Sequence, residues 1–295
     1  MDNSTEKKPL IQKGWLRVLL FVTVYFFVSL LVSIPSILFL TDVKSSDLET
    51  DAVQAISNLE SSYLWLIVLL EFVCSVICVF LLRKFIDRKS FASLGFTIAG
   101  HWHEMIAGFF LAPALIGIGS LILYFFKHVE WDVNSFNAQT FIIEAGTLAL
   151  IAISEELVFR GYILNNLLQS FNKWTALIIS SVLFTIFHLS NPGISTIPIA
   201  TLFLGGILFG INYIYTKNLW FSIFLHFSWN LFQGPFTGYK VSGINFPSLL
   251  QTDLKGDISI TGGDFGFEGS FVATALLLIT VLGLWLVYEK KFNKV

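Results

Sequence analysis

The chain has 295 residues, 55% of them hydrophobic and only 13% charged, with 31 phenylalanines and a mean hydropathy of +0.75, a composition that excludes an ordinary soluble domain and belongs to integral membrane proteins. A formal net charge of -2 with no basic patch offers no footprint for nucleic acid. Cys74 and Cys78 lie one helical turn apart in an apolar run, so they read as small core residues rather than a disulfide framework or a thiol site.

Trp15 to Leu40 is long enough to span a bilayer, carries Lys7, Lys8, Lys13 and Arg17 at its head, and ends without a small-residue cleavage pattern. It therefore reads as a retained helix, not a signal peptide. Further spans are expected near Tyr63 to Leu82, Met105 to Phe126, Thr140 to Leu168, Trp174 to Leu189, Ile194 to Tyr215, Leu219 to Gln233 and Phe271 to Tyr288. Alternate threading of about eight transmembrane helices puts Arg83, Lys84, Arg88, Lys89, Lys173, Lys217, Lys290, Lys291 and Lys294 on the side of the four N-terminal basic residues. Only Lys44, Lys127, Lys240 and Lys255 fall opposite, and this split of thirteen to four places both termini in the cytoplasm. The opposite loops carry acids: Asp42, Asp47, Glu49, Asp51 and Glu60, then Asp253, Asp257, Asp264 and Glu268 in the extracytoplasmic loop 234–270. The glycines of that loop favour turns over a further apolar core. With no internal repeat and no large hydrophilic block, residues 1–295 read as a single membrane domain, an all-α polytopic bundle.

Glycines inside the spans suit close helix packing within the chain: Gly117 and Gly119 in the third, and Gly205, Gly206 and Gly210 in the sixth, where Gly206 and Gly210 form a GxxxG pair. Glu71, a lone acid in the second span, reads as structurally paired or locally hydrated.

The remaining ionisable and amide groups within apolar segments are Glu155, Glu156 and Arg160 in ISEELVFRGYI, His188 in SVLFTIFHLS, and His226 with Asn230 in IFLHFSWNLF. Hydrocarbon makes such groups costly, so each is expected to face a partner or a water-filled cavity. If the fourth and fifth spans turn around Asn172, Glu155 and His188 both sit roughly 24 Å from that turn and meet at one depth. Glu156 and Arg160 form an i,i+4 pair with the acid N-terminal, while Glu155 points about 100° away and is freer to face a reactive water. His226 and Asn230 share one helix face and resemble an anion-stabilising pair. A desolvated carboxylate gains proton affinity and can act as general base, an imidazole can relay the proton, and two donors can meet the oxygen of an attacked amide. The alternative is a structural ion pair, a satisfied interhelical histidine and polar glue between helices.

EELVFRG (Glu155 to Gly161), FTIFH (Phe184 to His188) and HFSWN (His226 to Asn230), in this order, resemble the three motifs of the CPBP family, also called the CAAX protease and bacteriocin-processing or Abi family. The resemblance covers residues 140–233, the motif-bearing catalytic core, with weaker support from RKSFASLGF at Arg88 to Phe96. It implies an intramembrane endopeptidase of the cell membrane, with a bacterial plasma membrane the simplest location, acting on a membrane-associated peptide or protein, lipidated or not. By this resemblance Glu155 activates water with the help of His188, Glu156 and Arg160 organise the site, and His226 and Asn230 stabilise the oxyanion. Family members have been labelled metalloproteases, and zinc could be held by Glu155, His188 and His226, but the chain has no HExxH. A metal-free, glutamate-dependent mechanism with no cofactor is the favoured expectation. The alternative function is a noncatalytic bacteriocin immunity factor or membrane scaffold.

Overall fold

The computed structural model describes residues 8–40 and 61–292. Lys7, Lys44, Lys294, Asp42, Asp47, Glu49, Asp51 and Glu60 lie outside the described residues. The architecture is an all-α polytopic bundle: α1 Gly14–Leu40, α2 Ser61–Phe85, α3 Trp102–Phe125, α4 Ala138–Glu156, α5 Lys173–Phe187, α6 Thr196–Thr216, α7 Trp220–Leu231 and α8 Phe271–Phe292. These helices fall on the eight apolar stretches. Five of them, α1, α2, α3, α6 and α8, contain stretches long and apolar enough to cross a membrane. The fourth and seventh segments are not uniform α-helices, because α4 passes into π-helical Leu157–Leu164 and α7 into π-helical Phe232–Phe236.

The helices are arranged as a buried centre inside an apolar shell. Every residue of Leu157–Leu164 is buried, as are most residues of α6 and α7. Large side chains on α1 (Phe26, Phe27, Leu31) and α8 (Ile279, Leu282, Leu286) point outward, as expected of helices that are apolar all round and face lipid. Contacts run α1 to α2, α2 to α4, α4 to α7, α7 to α3, α5 to α6 and α6 to α8.

The glycine pair of α6 packs within the chain. A Cβ on Gly206 would come within 2.9 Å of Ser181 Cα, and one on Gly210 within 2.5 Å of Leu177 Cδ1, so both let α6 approach α5. The α3 glycines behave differently from expectation. Gly117 faces open space, and Gly119 seats the ring of Phe267, which a Cβ would meet at 2.2 Å. Gly119 thus receives a loop side chain beside Leu276 of α8, while Gly108, where a Cβ would meet Phe221 O at 2.5 Å, is the α3 glycine that lets α7 approach.

That loop is also more than a chain of turns. Tyr239, Phe246, Phe265 and Phe267 are buried in it, and Leu250–Leu254 pairs antiparallel with Val129–Val133, a small sheet of two strands, β1 being Val129–Val133 and β2 Leu250–Leu254. Its aromatic residues are spaced among glycines that permit sharp reversals, so the apolar groups fold back onto the bundle end. At Gly266, with φ 97°, a Cβ would collide with the Lys240 carbonyl.

At the opposite end, two basic residues counted among the topological charges are buried instead. Arg17 and Arg83 flank Asp87, at 3.4 and 2.9 Å, and Asp87 also accepts from Tyr162 Oη at 3.2 Å and Asn166 Nδ2 at 3.1 Å. One carboxylate thereby ties the ends of α1, α2 and the π segment together. Nearby, the RKSFASLGF stretch locks onto the α6–α7 turn. Leu219 N–H donates to Gly95 O at 2.9 Å and Trp220 Nε1 to Phe96 O at 3.2 Å. Cys74 and Cys78 are both free thiols.

Candidate active site

Four elements converge on the motif residues. Asn137 caps α4 by accepting from Thr140 N–H at 3.1 Å, and the helix delivers Glu155 and Glu156 at its far end, where the π segment begins. Widened turns of this kind concentrate at functional sites, because they release backbone groups from the regular ladder. Here Phe159 O accepts from Ser180 Oγ of α5 at 3.1 Å.

Glu156 is fully buried and holds two partners with one oxygen: its Oε1 lies 2.8 Å from Arg160 Nη1 and 2.9 Å from His226 Nδ1. Arg160 donates a second bond to Gly206 O at 3.0 Å and is enclosed by the rings of Phe184 and Phe209, 4.8 and 5.3 Å from its guanidinium carbon. This surrounding offsets the desolvation of a buried cation with an ion pair, a carbonyl and two aromatic faces. Phe209 also stacks on His226, with ring centroids 4.6 Å apart and planes 10° from parallel, which fixes the imidazole plane.

Glu155 points the other way. Its Oε2 lies 3.7 Å from His188 Nε2 and 3.9 Å from His226 Nε2, and this oxygen is buried without a hydrogen-bond partner among the described residues. His188 caps the end of α5, and its Nδ1 is 2.8 Å from Phe184 O. A carbonyl can only accept, so Nδ1 carries a proton, and Nε2 is the nitrogen that faces Glu155. By the same reasoning Nδ1–H of His226 donates to Glu156. Asn230 follows His226 by one turn of α7 and is buried like it.

The structure thus brings Glu155, Glu156, Arg160, His188 and His226 into one contact network, with Asn230 on the adjoining turn. Phe209 and the Gly206 carbonyl were not anticipated; the only sequence signal is the glycine spacing that brings α6 close enough to offer them. A second unforeseen feature is a latch behind His188. Asn191 Nδ2 donates to Ser242 O at 3.2 Å, and Ser242 donates its N–H and Oγ–H to buried Glu268 at 2.5 and 2.7 Å. Burial pushes the Glu268 carboxyl above its ordinary range, against the two Ser242 bonds that pull it down.

Glu155, His188 and His226 are the right donor types for zinc, and ligands sharing one zinc ion stand roughly 3.4 Å apart, against 3.7 and 3.9 Å from Glu155 Oε2 to the two imidazole nitrogens. Among the described residues no group of three or more His, Cys, Asp or Glu side chains is arranged to hold a metal ion.

Residues 137–232 match the family model for type II CAAX prenyl endopeptidase Rce1-like proteins, an interval running from the cap of α4 to the start of the second π segment. The chain is also similar to Putative membrane peptidase YdiL of Bacillus subtilis (strain 168), at 29% identity over 185 residues covering 59% of this chain and 71% of that protein. With the three motifs meeting at one site in a helical bundle, these similarities support the CPBP/CAAX protease family for this multi-pass membrane protein.

Proposed function

We propose that the protein is an intramembrane endopeptidase that hydrolyses a peptide bond of a membrane-associated protein or peptide with water activated by Glu155. The observation that carries this reading is the position of Glu155 Oε2, buried, without a protein donor, and 3.7 and 3.9 Å from two imidazole nitrogens. Those separations exceed a direct hydrogen bond and suit a water shared between carboxylate and imidazole.

In the proposed reaction the water oxygen attacks the scissile carbonyl carbon while its proton passes to Glu155, with His188 Nε2 as the accepting neighbour. The carbonyl π bond breaks and its electron pair moves to oxygen. The resulting oxyanion is met by the Asn230 amide and by Nε2–H of His226, in the doubly protonated form that the ring takes from solvent before the attack and keeps through the cycle. Glu156 accepts the Nδ1–H of that ring. The C–N bond then breaks, and the proton held by Glu155 goes to the leaving nitrogen, restoring the carboxylate. Glu156 and Arg160 act through His226, by fixing its ring and its Nδ1 proton. The substrate approaches from the bilayer, and the site chemistry does not require a lipid group on it.

The deciding experiment compares purified, folded wild type with Glu155→Gln on a panel of membrane peptides, with product masses locating the cut. Turnover is expected to collapse in the variant while substrate binding persists, because glutamine keeps the size and loses the base. Wild-type activity is expected to survive chelator. Equal cleavage by both proteins would remove Glu155 from the base role, and stoichiometric zinc required for turnover would replace the metal-free scheme. Protection of cells from a toxic peptide by both proteins, without cleavage, would establish the immunity reading instead.

A further inference from the structure

Away from the catalytic residues, at the end of the bundle where α2 finishes and α5 starts, lies a cavity of about 520 Å³ lined by Arg83, Lys89, Ser93, Asn165, Leu168, Gln169, Phe171, Lys173 and Lys217. Four of these nine residues are cations and none is an acid. Ion pairs on this face go to Arg83, held by Asp87 at 2.9 Å, and to Lys173, held by Glu289 at 2.8 Å. Lys89 and Lys217 have no carboxylate partner among the described residues. Lys217 donates to the Ile214 carbonyl at 3.0 Å, a contact that leaves its charge uncompensated. Desolvation of the ammonium first, and then the neighbouring Lys173 charge, push it down to about 8 although the residue as a whole is exposed.

We propose that this cavity binds a phosphate-bearing anion, and that its natural occupant is the headgroup of an anionic phospholipid. Phosphate is favoured by the charge: the Lys89 and Lys217 ammonium groups stand without a carboxylate among the described residues, beside an Arg83 guanidinium already held by Asp87 and Ser93, and Asn165 and Gln169 amides already donating within the chain. A lipid source is favoured by the rest of the lining. Leu168 and Phe171 supply apolar surface beside the cations, and Phe171 is 38% exposed, so the cavity joins a polar recess to an apolar edge. Its place also fits, because α2, α5 and α6 end here and the basic residues of the chain gather on this side. Basic recesses between transmembrane helices at that level recognise anionic headgroups. Occupancy would bridge α2, the close of the π segment, α5 and α6, and so brace the elements that carry the catalytic groups from the opposite end.

The test uses the full-length protein in a neutral detergent, titrated with phosphatidylglycerol or phosphatidylcholine and read by native mass spectrometry. Wild type is expected to retain phosphatidylglycerol in preference to phosphatidylcholine. The double variant Lys89→Gln, Lys217→Gln is expected to bind the anionic lipid about 10- to 30-fold more weakly, the loss of two headgroup-facing cations. Lys89→Arg with Lys217→Arg keeps both charges and is expected to retain the preference, which separates loss of charge from damage to the fold. Inorganic phosphate, added in millimolar excess, distinguishes the sources. If it leaves phosphatidylglycerol bound, the lipid assignment stands; if it displaces the lipid completely and binds alone with equal affinity, the phosphate site stands and the lipid occupant is overturned. Equal retention of both lipids by wild type, or undiminished phosphatidylglycerol binding by the glutamine variant, would overturn the site itself.

Discussion

His226 has the most constrained chemistry of any residue at the centre of the bundle. Its Nδ1 is committed to Glu156 at 2.9 Å and its plane to Phe209, so the one variable left to it is the proton on Nε2. The pairing expected between His226 and Asn230 therefore acquires a condition: with Nδ1–H given to Glu156, the imidazole donates to an oxyanion only when Nε2 also carries a proton. Alanine at His226 or at Asn230 is expected to lower kcat roughly 100- to 1000-fold, with a much smaller change in KM, since each removes a donor used chiefly in the transition state. Steady-state kinetics on a cleaved peptide checks this, and a loss confined to KM would assign these residues to ground-state binding. Arg160→Ala belongs to a different class. It leaves Glu156 buried without its cation, a change that costs about 3–5 kcal/mol in comparable sites, so thermal unfolding in detergent should register it before any assay does. If Arg160→Ala unfolds like wild type, Glu156 does not depend on its cation for stability, and the arginine's part is confined to positioning His226 through Glu156.

At the scale of elements, hydropathy located all eight helices, because an apolar run of the right length has few alternatives in this composition. The depth match of Glu155 and His188 was legible too. It depends only on counting outward from the Asn172 turn, and the 3.7 Å separation follows despite the π segment, which lies between Glu155 and the turn. The π segments themselves carry no periodic signature strong enough to read, since one widened turn alters the hydrophobic pattern by a single residue. The β1–β2 pair escaped for a related reason: five-residue strands joined across more than a hundred residues have no local signal. Arg17 and Arg83 entered only as topological charges, because charges near span ends usually face water, and nothing in the sequence marked Asp87 as their shared anion. Its burial yields a prediction at this scale. Asp87→Asn preserves shape but leaves two guanidinium groups without their shared anion, and is expected to destabilise the bundle by about 3–5 kcal/mol. Denaturation in mild detergent measures it; a cost below about 1 kcal/mol would mean that the cluster is as well hydrated as a surface pair.

For the whole molecule, orientation in the membrane links the catalytic centre, the latch behind it and the basic cavity. Discounting Arg17 and Arg83, whose charges are held by Asp87 and so are poor guides to topology, the basic residues still divide eleven against four. Lys8, Lys13, Lys84, Arg88, Lys290 and Lys291 among them are exposed, as the residues that the positive-inside rule counts should be. The bias predicts that the α2–α3 turn and the α4–α5 turn face the cytoplasm, together with both termini. The β1–β2 sheet and the loop carrying Glu268 would then lie outside. Single cysteines make this measurable in intact cells, in a Cys74→Ala, Cys78→Ala background. Lys255→Cys, on an exposed position beside β2, is expected to react with a membrane-impermeant maleimide added from outside, and Lys84→Cys, at the end of α2, only after the membrane is opened. The reverse pattern would invert the bundle and turn the basic cavity towards the exterior, where the charge argument for a cytoplasmic-leaflet lipid fails while the catalytic geometry stands. Labelling of both positions from one side would instead require that one of the shorter helices, α5 or α7 with its π extension, re-enters the membrane without crossing it, because an odd number of crossings between Lys84 and Lys255 is what sets the two apart.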